Sequence, residues 1–237
     1  MYLSSLIILV FSVAFFCESV IGFGGLLIAL SVLSFFVEIK ILTPTIIYVG
    51  FIASIIVLCT DRKTINWSLI VKNIIPISFT GTILGVMLFN YASEVILLKV
   101  FAIFLIIVTV KSLIFSKLKL IKIFRTPLLF LGGVAHGLFS IGGPFTILAV
   151  KDEFKSKNSL RSTMAVYFAF FNFIRFLQLT YLKKYEISEY FAMWWLIFPI
   201  FLAVLLGYRI HLKLPEDLFK KIINLLLLLA GLIYIIK

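Results

Sequence analysis

Ser19-Val20-Ile21-Gly22-Phe23-Gly24-Gly25 and Gly137-Leu138-Phe139-Ser140-Ile141-Gly142-Gly143-Pro144 are two stretches of one kind, apolar and punctuated by glycine. Each lies inside a run apolar enough to cross a bilayer, where paired glycines loosen or break a helix. A broken helix at membrane depth is costly unless it lines a polar site, and a matched pair of them points to transport. Pro144 suits the first turn of a new helix, since its missing N–H is not needed there. Half-helices starting near Leu26 and Pro144 would aim free N–H groups and a positive dipole end at each break, which favours an anion.

The whole chain has the same character. It is 237 residues long and 63% hydrophobic, far outside the range of soluble domains, so the expectation is an integral membrane protein. The formal net charge is +12. Its Lys and Arg residues gather in short loops between apolar runs, which suits anionic lipid headgroups and excludes nucleic acid as a partner. Cys17 and Cys59 have no CxxC spacing, so two small buried side chains are expected rather than a disulfide or a metal site. No Walker motif, dinucleotide fingerprint or metal-ligand cluster occurs, so no cofactor is expected. Met1-Tyr2-Leu3 lacks a basic signal region, and the first segment is read as retained.

A bilayer-crossing helix needs about 20 apolar residues. Eight runs qualify, near 4–37, 43–60, 67–90, 95–115, 127–150, 162–182, 189–208 and 218–236. The first is too long for one straight span and is expected to break around Gly22 to Gly25. A displacement of 118 residues carries Gly24 onto Gly142, Gly25 onto Gly143 and Ser54 onto Asn172; one of 122 carries Gly85 onto Gly207 and Glu94 onto Glu216. The fold expected is therefore all-α and polytopic, about eight transmembrane segments in two four-segment repeats with glycine-broken first helices. The repeats occupy 1–115 and 127–237, joined by a basic linker over 116–126. That linker favours a cytoplasmic position for itself and both termini.

Arg175 is the sharpest single residue. Asn172 and Gln178 flank it at three-residue spacing, so the three share roughly one helix face. A polar stripe on an aromatic helix should face protein or a cavity, which makes Arg175 a candidate anion ligand. The plainer reading is an arginine that snorkels to the interface or pairs structurally. Glu18 precedes the first glycine cluster, and the repeat places His136 opposite it in the second copy. Glu18 either neutralises Arg175 or carries a coupling proton, unless it is simply interfacial; His136 is a second proton-coupling candidate or a neutral histidine packed between helices. The substrate-binding set is then Gly24, Gly25, Gly142, Gly143, Arg175, Asn172 and Ser54. Ser140 and His136 lie four apart but lack the elbow and acid of a serine hydrolase, so an intramembrane enzyme is the weaker alternative, alongside a non-transporting binding or assembly protein.

The doubled layout, the Ile21-Gly22-Phe23-Gly24-Gly25 and Ser140-Ile141-Gly142-Gly143-Pro144 segments, and Ser54 and Asn172 in the helices that follow resemble the sulfite exporter TauE/SafE family of bacterial membrane proteins. Leu26 and Pro144 stand where a third glycine is common in that family. The resemblance implies a multi-pass transporter of the cytoplasmic membrane that exports sulfite, a sulfonate or a related sulfur anion. Its expected partners are a small anionic solute and membrane lipids.

Overall fold

The structure, a computed structural model, describes residues 2–21, 24–114, 122–154, 156–211, 225, 227–229 and 231–235. Among them every regular element is helical. Gly22 and Phe23, residues 116–121 of the expected basic linker and most of the expected last run lie outside the described residues.

The first long apolar run forms α1 (Tyr2–Ile21) and α2 (Gly25–Leu33). They make a hairpin, because a Cβ at Gly25 would lie 3.0 Å from the carbonyl of Ala14. A straight helix would set those residues roughly 16 Å apart. α3 (Ile39–Asp61) holds Pro44 inside the helix, past its first turn; the Glu94 carboxylate accepts the Ile39 N–H at 2.6 Å and caps it. Next come α4 (Trp67–Leu69), a π turn (Ile70–Ile74) and α5 (Ile75–Tyr91), continuous over Trp67–Tyr91. The π turn lies just before Pro76, whose missing N–H leaves one carbonyl of the preceding turn without its helical donor. α6 (Glu94–Ile114) follows.

The second glycine stretch repeats the hairpin with α7 (Arg125–Phe139) and α8 (Gly143–Val150). Gly132 of α7 abuts Thr146 of α8 and Gly142 just before it, so the chain reverses here too. α9 (Lys157–Tyr181) opens with the Ser156 hydroxyl accepting the Ser159 N–H at 3.2 Å. α10 (Ile187–Ala192) starts at a capping box between Glu186 and Glu189, and a 3-10 turn leads into α11 (Ile197–His211). Residues 231–235 are helical again.

Ile39–Cys59, Trp67–Tyr91, Asn158–Tyr181 and Ile187–Gly207 are each long and apolar enough to cross a membrane. One expectation is corrected: Cys17 is buried but Cys59 is exposed. Near the end of an apolar helix a small soft side chain is tolerated on the outer face as readily as inside.

The chain divides into two compact units, each drawing on sequence from both sides of the linker: Met1–Leu42, Tyr91–Lys119 and Leu202–Lys237 in one, Thr43–Asn90 and Leu120–Phe201 in the other. In the first unit, Tyr234 packs its ring on Phe35 and donates its hydroxyl to the Ser31 carbonyl at 2.7 Å. In the second, α3 and α9 run antiparallel: the Asn66 N–H donates to Thr163 Oγ1 at 2.9 Å, and Phe51 meets Phe173 further along. Ile70, Ile74, Leu129, Val150, Tyr167 and Phe171 form that unit's apolar core.

Candidate functional site

The site is built on α7, which turns a different face to each neighbour. Gly133 and Gly137 lie against α5, where a Cβ on either would collide with the carbonyl oxygen of Ser78 or Thr82. Gly81 and Gly85 answer from α5, against the carbonyls of Phe130 and Val134. The Ser78 hydroxyl donates to the Leu129 carbonyl at 3.0 Å across the same seam. Such small-residue contacts let membrane helices approach backbone to backbone. Gly132 serves the α8 contact, leaving His136 to project towards α9.

The His136 side chain sits at the break itself, its Cβ 3.0 Å from the point a Gly142 Cβ would occupy. Its ring packs edge-on to Tyr167 at 5.6 Å and against Phe171 at 5.5 Å. Asn172 lies beside the ring but outside hydrogen-bond geometry, and the Arg175 charge is within electrostatic reach. Arg175 is fully buried. One of its terminal nitrogens donates to Gln178 Oε1, and its guanidinium stands 5.2 Å from the Phe89 ring centroid. Among the described residues no carboxylate forms an ion pair with it.

Polar demand here exceeds polar supply. Among the described residues, both His136 nitrogens, Ser140 Oγ, both amide atoms of Asn172, Arg175 Nε and Nη2 and Gln178 Nε2 are buried without a hydrogen-bond partner. One unsatisfied buried polar group costs about 1–3 kcal/mol, so a native cluster of them calls for something that satisfies it. The unpaired atoms are mostly donors or adaptable groups beside a fixed positive charge, which suits an oxyanion. Gly143 stands at the first position of α8, where a helix leaves N–H groups without an intrahelical partner.

Ser140 and His136 do not form a nucleophile–base pair, since the hydroxyl and both ring nitrogens stay unpartnered. The Ser54 hydroxyl donates to the Gly50 carbonyl of its own helix at 2.6 Å, and no described contact joins it to the His136 cluster. Phe168 and Phe171 share the α9 face of Asn172 and Arg175, a spacing already visible in the sequence; Phe89 and Tyr190 carry no such signal.

The first break is built differently. Gly24 adopts φ +102° and caps α2, a conformation that side chains resist. The Gly25 N–H donates to Glu18 Oε2 at 2.6 Å. A Cβ at Gly25 would stand 2.7 Å from that oxygen, so glycine is what lets the carboxylate close on the helix start. The orphan donor is thus engaged by a carboxylate of the chain itself. In the second hairpin the positive φ falls on Ser140, at +58°, while Gly142 is ordinary at −91°. There glycine is required for space: a Gly142 Cβ would strike the Tyr167 hydroxyl and the Gly132 carbonyl.

The sulfite exporter TauE/SafE family model matches residues 6–234, nearly the whole chain. Comparison with curated proteins and with solved structures finds no match. The match takes in both glycine hairpins, the polar face of α9 and the apolar helices, so the resemblance read from the sequence is borne out. This integral membrane protein belongs to the sulfite exporter TauE/SafE family.

Proposed function

We propose that this protein is a multi-pass secondary transporter of the cell membrane that exports a small anion, a sulfite, sulfonate or other oxidised sulfur anion being the class addressed. The observation that carries the reading is the buried guanidinium of Arg175, which has no carboxylate partner among the described residues, with Asn172, Gln178 and the His136 ring each holding buried polar atoms left without a hydrogen-bond partner there. The family supplies the transport context. Arg175 holds the charge, Asn172 and Gln178 orient the oxygens, and Gly142 and Gly143 keep the break open to backbone donors. His136 is the coupling group of the second hairpin and Glu18 of the first, where Gly24 and Gly25 shape the turn. Eight segments in two four-segment repeats would let such a carrier rock around its site.

Reconstitution into proteoliposomes tests this, with sulfite, thiosulfate, methanesulfonate and acetate offered with and without a pH gradient. Sulfur oxyanion flux that responds to the gradient is expected. Arg175→Gln should lower it by about 10- to 100-fold, the range for losing a hydrogen bond to a charged group, and Arg175→Lys should restore part of it. Undiminished flux in Arg175→Ala would remove the charge role.

A further inference from the structure

In the unit that holds Arg175, α5, α7 and α9 run the same way. Ser78 meets Leu129 and Thr82 meets Gly137 along α5 and α7. The α5 span and α9 pair from Asn66–Thr163 at their heads to Asn90–Lys184 at their tails. Both ends of the α7–α8 hairpin return to the head side, where Arg125 Nη1 donates to Glu153 Oε1 at 3.1 Å. Arg62, Lys63, Arg125, Lys151 and Arg161 therefore gather at the head face, while Lys183 and Lys184 stand at the tail face. That imbalance is the pattern of a cytoplasmic head face.

Arg175 lies about 9 Å from the end of α9 at Tyr181. Two contacts cover it on that side. The Phe89 ring is 4% exposed and stands 5.2 Å from the guanidinium. The next residue, Asn90, accepts a hydrogen bond from Nζ of the exposed Lys184 at 2.7 Å. Lys183, at φ +51°, turns the chain back at the end of α9, with the Lys184 N–H donating to the Leu179 carbonyl at 3.0 Å. Past Gly85 the tip of α5 has left its glycine seam with α7 and meets α9 through side chains instead.

We infer that Phe89 and the Lys184–Asn90 hydrogen bond form the gate of the anion site on the extracytoplasmic side. The inference rests on the anion-site reading above and deepens it. Asn90 offers Lys184 a neutral acceptor, whereas an oxyanion forms the stronger, charge-assisted bond. An anion passing the tail face takes Lys184 from Asn90 and frees the α5 tip to carry Phe89 off the guanidinium. Once the anion has gone, the amide recaptures the lysine and the ring again shields the buried charge from water.

The test is sided cysteine accessibility. Gln178→Cys, in a Cys17→Ser, Cys59→Ser background, meets the impermeant anion 2-sulfonatoethyl methanethiosulfonate, and its modification rate is read in intact cells and in inside-out vesicles. Phe89→Ala should raise the rate in cells about tenfold and Asn90→Leu about fivefold, the scales of a desolvated cation–π contact and of one hydrogen bond. Leu88→Ala, at an exposed position of α5, should leave it unchanged. None of the three should speed the reaction in inside-out vesicles. Asn90 sits half-buried at a helix end, so Asn90→Leu keeps the test open where Phe89→Ala fails to fold. Rates alike in every variant remove the gate, and sulfite flux through the parent protein in proteoliposomes decides the transport reading separately. Faster modification in cells without such flux keeps the gate and overturns transport. Acceleration confined to inside-out vesicles overturns the extracytoplasmic assignment.

Discussion

At the scale of single residues, the two hairpins use the same amino acid for unlike reasons. Gly24 has nothing within 4 Å of where its Cβ would stand, yet its φ of +102° excludes most side chains. Gly24→Asn should therefore be nearly neutral, while Gly24→Val should cost about 1–2 kcal/mol, the penalty of left-handed backbone. Gly143 answers to volume alone: its Cβ would meet Phe168 Cζ at 2.7 Å. Gly143→Ala should lower the melting temperature in detergent, and adding Phe168→Leu should recover most of the loss. A double variant no more stable than Gly143→Ala would reject the steric account. The glycines and Pro144 announced the interruptions from the sequence because they are the residues that interrupt helices. That Ser140 rather than Gly142 takes the positive φ was not legible, since both are compatible with a turn. Arg175 was legible as a polar stripe through Asn172 and Gln178. Its stacking partner Phe89 was not, because that contact joins positions far apart in the chain.

At the scale of elements, apolar run length located the helices well. α3, the Trp67–Tyr91 span, α6 and α9 all lie where runs of about 20 residues stood. The starts of α3 and α9 moved outward to caps that hydropathy ignores, Glu94 reaching the head of α3 and Ser156 opening α9. The seam between α5 and α7 escaped the sequence reading, although Gly81, Gly85, Gly133 and Gly137 sit at four-residue spacing. Spacing marks a face suited to close approach but not the helix that uses it. Gly133→Ala should destabilise the protein by about 1–3 kcal/mol through overpacking, seen as earlier unfolding on heating or in denaturing detergent. Gly24→Asn, with open space around it, provides the contrasting control.

At the scale of the whole molecule, composition alone identified a membrane protein, because 63% hydrophobic residues leave too little polar surface for water. The side of each loop is harder to read, since the basic residues are spread over many short connections. Exposed Cys59 and buried Cys17 offer a direct measurement. Cys59 adjoins Arg62 and Lys63, whose side should match that of the linker if Trp67–Tyr91 and α6 both cross. An impermeant maleimide should then label the protein only after cells are permeabilised, and Cys59→Ser should abolish the signal. Labelling of intact cells would reverse the assigned orientation. The α5–α7 seam also has a mechanical meaning. Backbone pressed on backbone leaves no rotamer to absorb displacement, so the two helices act as one stiff bar. If the proposed transport moves the second hairpin, the displacement is expected where the helical ladder is already irregular, at the Ile70–Ile74 π turn and at the bend on Ser140.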